Sequence, residues 1–402
     1  EYKSNISFSL KVNANYINFE RGITMRHYMH LSDSELNKIF YKKPEAFDNT
    51  TKKNQLRYAL GATLYLPATK YIAPYLLEKR YSHLTSFVMC FENLIEERNI
   101  NIAEKTLLNT LRTLKMAENE NRINKDELPL FFIHVRDPLQ FERLYEILIK
   151  DKDIISYISG FFLPKFNSNN ADAYLSTVKK IRLISEYIYA LPIIESKEII
   201  SLASRISELI TLEKTIFEYR DMILGIRIGG SYINSVLGVN SLEAMSIYDV
   251  GITASIIYDI INSFINLSYE DIAIYSSSWD KKITSFQTVS KSSNAFDQNK
   301  VIYNHAFTHD PSLDGFIREI LLDKLNGCVG KTVVYPNQIS IVNALYSVER
   351  KDYELALSIN SSNEPSLNYG EQINNKIWSN KILSLSKIYG VLNENYSAVD
   401  LF

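Results

Sequence analysis

The chain has 402 residues, enough for one large domain with additions or for two domains of ordinary size. A hydrophobic content of 46% and a charged content of 22% are typical of a globular protein with a substantial core. The formal net charge of −2 would not attract a polyanion, so we expect no nucleic-acid partner. No apolar run approaches the length of a membrane span, which leaves no membrane association and a cytoplasmic location as the default expectation.

Residues 1–57 are polar and mixed, and we interpret them as an N-terminal extension. They contain the segment LSDSELNKIF, whose apolar spacing predicts a helix. Ser32 or Asp33 is its expected N-cap, because short polar side chains accept hydrogen bonds from the first free backbone amides.

From residue 58 onwards a strand-and-helix pattern repeats. Runs rich in Val, Ile, Phe and Tyr predict eight strands, at 62–67, 86–92, 129–136, 158–164, 187–194, 222–229, 271–276 and 329–335. The segments between them carry apolar residues at the three- and four-residue spacing of helices. This pattern predicts an α/β fold, a (β/α)8 TIM barrel over residues 58–345. A doubly wound open sheet is the main alternative, but no Gly-rich fingerprint opens the first helix.

Two further segments lie outside the repeat. Residues 346–402 form a predicted C-terminal helical region that caps the barrel or contacts a neighbouring subunit. Residues 279–312 are polar and long for a loop, which is typical of a lid. His305 and His309 lie four residues apart in this loop without a third partner, so we expect them to be solvated rather than to bind a metal.

Charged residues follow four of the predicted strands, namely Glu92, Arg136, Lys165 and Glu195. Because the C-terminal ends of barrel strands converge on one face, we expect these side chains to surround one cavity. Two carboxylates, a guanidinium and an ammonium group suit a metal ion and an anionic substrate. The alternative is that each charge simply ends its strand in solvent.

A series of motifs in fixed order resembles a known superfamily. The motifs are ATLYLPATK, LTSFVMCFENLI, PLFFIHVRDP, ISGFFLPKFNS, YALPIIES, LGIRIGGSYINSVLG and LNGCVGKTVVYPNQISIVNALYSV, and they cover roughly residues 58–350. Their order is similar to that of the citrate lyase β-subunit and hydroxy-diacid aldolase superfamily, in particular its carbon–carbon-lyase-like branch found in tellurite-resistance and stress gene clusters. The resemblance implies a homo-oligomeric lyase that acts on a hydroxy- or keto-acid, free or as a coenzyme A thioester, by Mg²⁺-assisted enolate stabilisation.

The resemblance also implies roles for single residues. Glu92, Arg136 and Lys165 correspond to catalytic positions, and Arg136 and Lys165 also bind the anionic substrate. Glu195 corresponds to a metal-binding glutamate of the superfamily, and Glu92 is a second candidate metal ligand. The implied cofactor is Mg²⁺.

The chain departs from the superfamily pattern at three positions. Tyr232 replaces a metal-binding aspartate, Tyr335 replaces a histidine, and Asn93 replaces an acidic residue. A phenol is a poor Mg²⁺ ligand because its pKa near 10 keeps it protonated. We therefore expect Mg²⁺ binding to be weak or substrate-dependent, unless Asn234 or Asp249 supplies a ligand, and we assign Tyr232 and Tyr335 to substrate contacts. The second hypothesis is a catalytically degenerate barrel that serves as an anionic-ligand or protein-binding module.

Other signals receive a structural interpretation. Cys90 and Cys328 are too few for a disulfide framework and are predicted to be buried thiols. His134, on an inner strand face, is predicted to be a core histidine, and no Cys–His nucleophile is apparent. The segment 327–332 resembles the end of a phosphate-binding loop but runs into a strand, so we interpret it as a strand entry.

Overall fold

The computed structural model describes residues 24–80, 83–240, 244–266, 272–283, 310–361 and 369–402. Within these ranges eight parallel strands close a barrel in chain order, as the sequence predicts. After the short strand β1 (Phe40–Lys42), the barrel strands are β2 (Gly61–Pro67), β3 (Ser86–Cys90), β4 (Leu130–His134), β5 (Gly160–Leu163), β6 (Tyr189–Ile194), β7 (Gly225–Ile228), β8 (Ala273–Trp279) and β9 (Gly330–Val333). Each begins and ends within three residues of its predicted range.

The barrel strands are covered on both faces, inside by each other's side chains and outside by helices. Every residue of β3, β4 and β6 is buried. This is why these strands are continuous apolar runs rather than alternating ones. The helices that follow them are Ala73–Leu77, Ile100–Asn119, Pro138–Leu148, Ala171–Arg182, Lys197–Ile200, Leu202–Glu218, Gly230–Leu237, Gly251–Phe264, Pro311–Leu325 and Ile339–Leu345.

The N-terminal extension and the C-terminal region pack together at the end of the barrel where the strands begin. Helix Asp33–Ile39 is capped by Ser32, as predicted, and β1 pairs with β10 (Val391–Leu392). The ring of His27 stacks on Tyr389 with centroids 4.4 Å apart. Helices Lys53–Ala59, Arg350–Ser361 and Tyr369–Tyr389 complete this layer. The opposite end of the barrel, where the strands finish, is left for the cavity.

The lysine of the Gly-Lys-Thr segment has a structural role. Lys331 lies on β9, and its side chain pairs with Glu319 at 2.7 Å and Asp323 at 2.9 Å on helix Pro311–Leu325. All three side chains are buried. The interpretation of this segment as a strand entry is therefore confirmed.

Two predictions concern the surroundings of the barrel. His305, His309 and most of the loop 279–312 lie outside the described residues. Among the helices that the structure does describe, none has the length and apolar character needed to cross a membrane.

Candidate active site

A cavity of about 430 Å³ opens where the barrel strands end. This volume suits a small molecule. Its walls include Tyr65, Cys90, His134, Glu195, Arg227 and Tyr232, contributed by five different strands or the segments that follow them. The cavity is therefore built in the way that barrel enzymes build their active sites.

Lys165 joins two of the predicted site residues. Its backbone N–H donates a hydrogen bond to Oε1 of Glu195 at 3.3 Å, and its ammonium group pairs with Oε1 of Glu92. The φ angle of Lys165 is 48°, in the left-handed region that non-glycine residues seldom adopt. Such strain persists only where the surroundings enforce it, and it is common at functional sites.

Glu195 lies deep in the cavity wall and is only 4% exposed. Burial, together with the negative charge of Glu92, raises the pKa of its carboxyl group to about 7. Gly229 makes room for this carboxyl group, because a Cβ atom at that position would lie 2.0 Å from Oε2 of Glu195. Glu195 thus titrates close to neutral pH, which suits a group that must accept and return a proton.

Glu92, His134 and Cys90 form a chain of contacts beside Lys165. Oε2 of Glu92 lies 3.3 Å from Nε2 of His134, whose Nδ1 lies 3.3 Å from Sγ of Cys90. Burial opposes the charged form of His134, but Cys90 and Glu92 raise its pKa to about 9. Burial likewise opposes ionisation of Cys90, yet His134 lowers the pKa of this thiol below its ordinary value.

The contacts among Glu92, His134 and Cys90 correct two sequence-based interpretations. Cys90 and His134 do form a Cys–His pair, and His134 is more than a core histidine. They are far apart in sequence, but the parallel register of β3 and β4 places them directly opposite each other. The signal available in the sequence was that each stands two residues before the charged residue that ends its predicted strand, and so on the same strand face as that residue.

Arg227 and Tyr65 were both missed by the sequence analysis. Arg227 lies on β7, is 7% exposed and contributes to the cavity wall. Its Cζ atom lies 4.3 Å from the centre of the Tyr65 ring. The one signal for it was an arginine inside the apolar run LGIRIGG.

Four of the predicted site residues are not among the described residues that line the cavity, namely Glu92, Arg136, Lys165 and Tyr335. Arg136 sits on the rim, where Nη1 donates to the Phe91 carbonyl oxygen at 3.5 Å and Nη2 lies 4.0 Å from Glu97. Neither Arg136 nor Tyr335 is among the described residues that line the cavity. Tyr232 does line it, and the Lys165 ammonium lies 5.0 Å from the centre of its ring.

The donor set does not fit a resident metal ion. In the part of the chain that the structure describes, no three His, Cys, Asp or Glu side chains converge in a way that could hold one. Both carboxylate oxygens of Glu92 already face the cations Lys165 and His134, which opposes metal binding by Glu92, and that role stays a prediction. Among the described residues, Glu195 and Asp280 are the carboxylates that line the cavity.

The two substitutes considered for the missing ligand are engaged elsewhere. Oδ1 of Asn234 accepts a hydrogen bond from Thr253 at 2.6 Å. Asp249 pairs with Arg318 at 2.6 Å. Both side chains are thus already engaged, and a metal-binding role for either stays a prediction.

The chain is similar to proteins of known family and structure. No curated protein sequence matches the chain. Among the solved structures that resemble it is the protein CitE from Mycobacterium tuberculosis, in complex with magnesium, acetoacetate and coenzyme A. That structure shares 11% identity with this chain, covers 82% of this chain and 99% of its own length, and has a TM-score of 0.47. Residues 54–391, most of the chain, match the family described as "C-C_Bond_Lyase of the TIM-Barrel fold". The chain therefore belongs to this family of carbon–carbon bond lyases with a TIM-barrel fold.

Proposed function

We propose that the protein cleaves or forms a carbon–carbon bond in a short hydroxy- or keto-acid, free or as a thioester, through an enolate. The observation that carries this proposal is that Lys165 contacts both Glu92 and Glu195, of which Glu195 lies in the cavity wall. A group that titrates near neutral pH stands there beside a fixed cation, which is the pair that enolate chemistry requires.

In the cleavage direction, the carboxylate of Glu195 takes the proton from the substrate hydroxyl group. The freed electron pair forms a carbonyl group, the adjacent carbon–carbon bond breaks, and its electrons move onto the carbonyl oxygen of the other fragment as an enolate. The ammonium group of Lys165 stabilises the negative oxygen. Glu195 then returns its proton to the enolate carbon, which closes the proton balance.

The other predicted residues act around this pair in our proposal. Glu92 holds the Lys165 ammonium in place and keeps its charge balanced. Tyr232 lies under the ammonium and contacts the substrate from the cavity wall. Arg136, on the rim, binds an anionic group of a substrate that extends out of the cavity. Tyr335 contacts the same outer part of the substrate.

Magnesium enters the proposal only with the substrate. Among the described residues, Glu195 and Asp280 are the cavity carboxylates that could meet such an ion. His134, Lys165 and Arg227 place positive charge around the cavity that opposes a free divalent cation. The weak or substrate-dependent Mg²⁺ binding expected from the sequence is compatible with this arrangement. No step above depends on the ion.

The proposal is tested by measuring enolate formation directly. The protein is incubated in D₂O with pyruvate, and exchange of the methyl protons is followed by NMR, with and without Mg²⁺. A panel of short hydroxy- and keto-acids and their thioesters is assayed in parallel for carbon–carbon cleavage by mass spectrometry. We expect exchange by the wild type and none by Glu195→Gln. If neither exchange nor cleavage occurs under any condition, the proposal fails.

The degenerate barrel remains the second candidate, and the replacement of a metal-binding aspartate by Tyr232 favours it. A Tyr232→Asp substitution discriminates, with Tyr187→Asp as a matched control, because Tyr187 is 38% exposed and is not among the described residues that line the cavity. A rise in Mg²⁺ affinity of about tenfold in the first variant alone would indicate a lost metal site. Unchanged affinity would indicate that side-chain cations have replaced the ion. The homo-oligomeric state, the cytoplasmic location and the role in stress response stay predictions.

A further inference from the structure

The floor of the cavity contains a buried cation, the guanidinium group of Arg227. Arg227 forms no ion pair with a carboxylate among the residues that the structure describes, and its Nε atom has no hydrogen-bond partner there. The hydroxyl group of Tyr65, which is 7% exposed, lies beside this guanidinium group and interacts with it. Buried polar groups are normally paired, because an unpaired one costs about 1–3 kcal/mol. A buried guanidinium group with an unpaired Nε atom in a cavity wall therefore indicates an absent ligand.

The guanidinium group is held by its flat face. Its Cζ atom lies 4.3 Å from the ring centre of Tyr65 and 5.9 Å from that of Phe162. Stacking of this kind fixes the plane of the group and leaves its N–H edge available. A guanidinium edge donates two parallel hydrogen bonds, which matches the two oxygens of a carboxylate.

We propose that Arg227 and Tyr65 form a carboxylate-binding subsite at the floor of the cavity, which holds the acid group of the substrate. This inference rests on the proposed function for the identity of that substrate. Arg227 and Glu195 belong to neighbouring strands and their turns, and both contribute to the cavity wall. An acid bound on Arg227 therefore presents its adjacent carbon atoms to Glu195.

The subsite narrows the class of substrate. A short hydroxy- or keto-acid enters with its carboxylate first and its reacting carbons behind. An acyl thioester without a free carboxylate would leave Arg227 buried and unpaired, which selects against it. The substrate is thus a free carboxylic acid at its inner end, whatever group it carries towards Arg136 on the rim.

Calorimetric titration of the full chain tests the subsite without requiring turnover. Pyruvate and methyl pyruvate are compared, because the ester keeps the shape of the acid and loses its charge. The variants are Arg227→Met, Arg227→Lys and Tyr65→Phe. The matched control is Arg182→Met, because Arg182 lies 5.4 Å over the ring of Tyr189, outside the cavity.

We expect the wild type to bind pyruvate more tightly than the ester, and Arg227→Met to weaken pyruvate binding by about 10- to 100-fold while leaving the ester unaffected. Arg227→Lys keeps the positive charge but not the two parallel N–H donors of the guanidinium group, so we expect a smaller loss of pyruvate affinity. We expect Arg182→Met to bind pyruvate as tightly as the wild type does. The inference is overturned if the wild type does not distinguish acid from ester, or if pyruvate affinity survives in both Arg227 variants. It is also overturned if inorganic phosphate displaces pyruvate more readily than acetate does. Should Arg227→Met fail to fold, Arg227→Lys and the ester comparison still decide.

Failure of this inference differs from failure of the proposed function. Carboxylate binding through Arg227 without any enolate formation would sink the function alone. Enolate formation with an unchanged KM in the Arg227 variants would sink the subsite alone.

Discussion

The backbone N–H of Lys165 donates to Oε1 of Glu195 at 3.3 Å while the ammonium group of the same residue pairs with Glu92. One residue therefore links the segments that follow β3, β5 and β6. The left-handed φ of 48° is what allows its backbone and its side chain to face two different carboxylates. Because Asn and Gly also tolerate this conformation, the two contributions of Lys165 can be separated by substitution.

Lys165→Asn should remove the ammonium group and leave the backbone conformation intact. We expect proton exchange of pyruvate to slow by about 100-fold, because a fixed cation beside the enolate is lost. The free energy of unfolding should change by less than about 1 kcal/mol, since the Lys165 side chain is 43% exposed. NMR exchange and urea unfolding measure the two effects. An exchange rate equal to that of the wild type would show that the ammonium group has no role in catalysis.

The titration of Glu195 should appear in the pH dependence of stability. Its pKa is about 7 in the folded protein, mainly because of burial, against about 4.3 in an unfolded chain. Between these pH values the folded state binds more protons than the unfolded state, so the free energy of unfolding falls as pH rises. The contribution is fully present below about pH 4 and is lost as pH rises through 7.

Glu195→Gln removes this titration. Relative to that variant, the wild type should lose about 3 kcal/mol of stability between pH 4 and pH 8, measured by urea unfolding. Glu97→Gln is the control, because the Glu97 side chain is 85% exposed. A stability difference between wild type and Glu195→Gln that does not vary with pH would contradict the assignment.

The fold was predictable because barrel strands buried on both faces leave a clear record in the sequence. Glu92, Lys165 and Glu195 were predictable too, since they follow strands whose ends must converge. The direction in which a long side chain points could not be predicted from the sequence. Arg136 ends its strand as expected, yet its guanidinium group turns along the rim towards Phe91 and Glu97.

The inner residues of the site were hidden for a different reason. Alternation along a strand indicates which residues face the barrel interior, but not at what height each one lies. Height depends on the register between strands, which places Cys90 opposite His134 and sets Arg227 beside the floor. Without the register, a cysteine or histidine that faces the barrel interior cannot be identified as a site residue rather than as part of the packed core.

The Cys90–His134 pair should make this thiol reactive at neutral pH. His134 lowers the pKa of Cys90 despite burial, so the thiolate persists at pH values below the usual thiol pKa of about 8.5. Cys328, whose pKa burial raises, should react only on unfolding. We expect iodoacetamide to modify Cys90 at pH 7 at least about tenfold faster than in His134→Gln. The comparison is made in a Cys328→Ser background by mass spectrometry, and equal rates in the two proteins would argue against an activated thiol.

A buried ion triad should hold helix Pro311–Leu325 to the barrel. Lys331 is 1% exposed and pairs with Glu319 at 2.7 Å and Asp323 at 2.9 Å. Lys331→Met leaves two carboxylates buried without a cation, so we expect a loss of about 3–5 kcal/mol in the free energy of unfolding.

The matched control for this variant is Lys180→Met, which breaks a 2.6 Å pair with Glu142 on the surface. That change should cost less than about 1 kcal/mol, because exposed pairs are screened by solvent. Urea unfolding at neutral pH gives both values. Two losses of similar size would mean that the triad does not stabilise the fold, since only burial distinguishes its lysine from the exposed one.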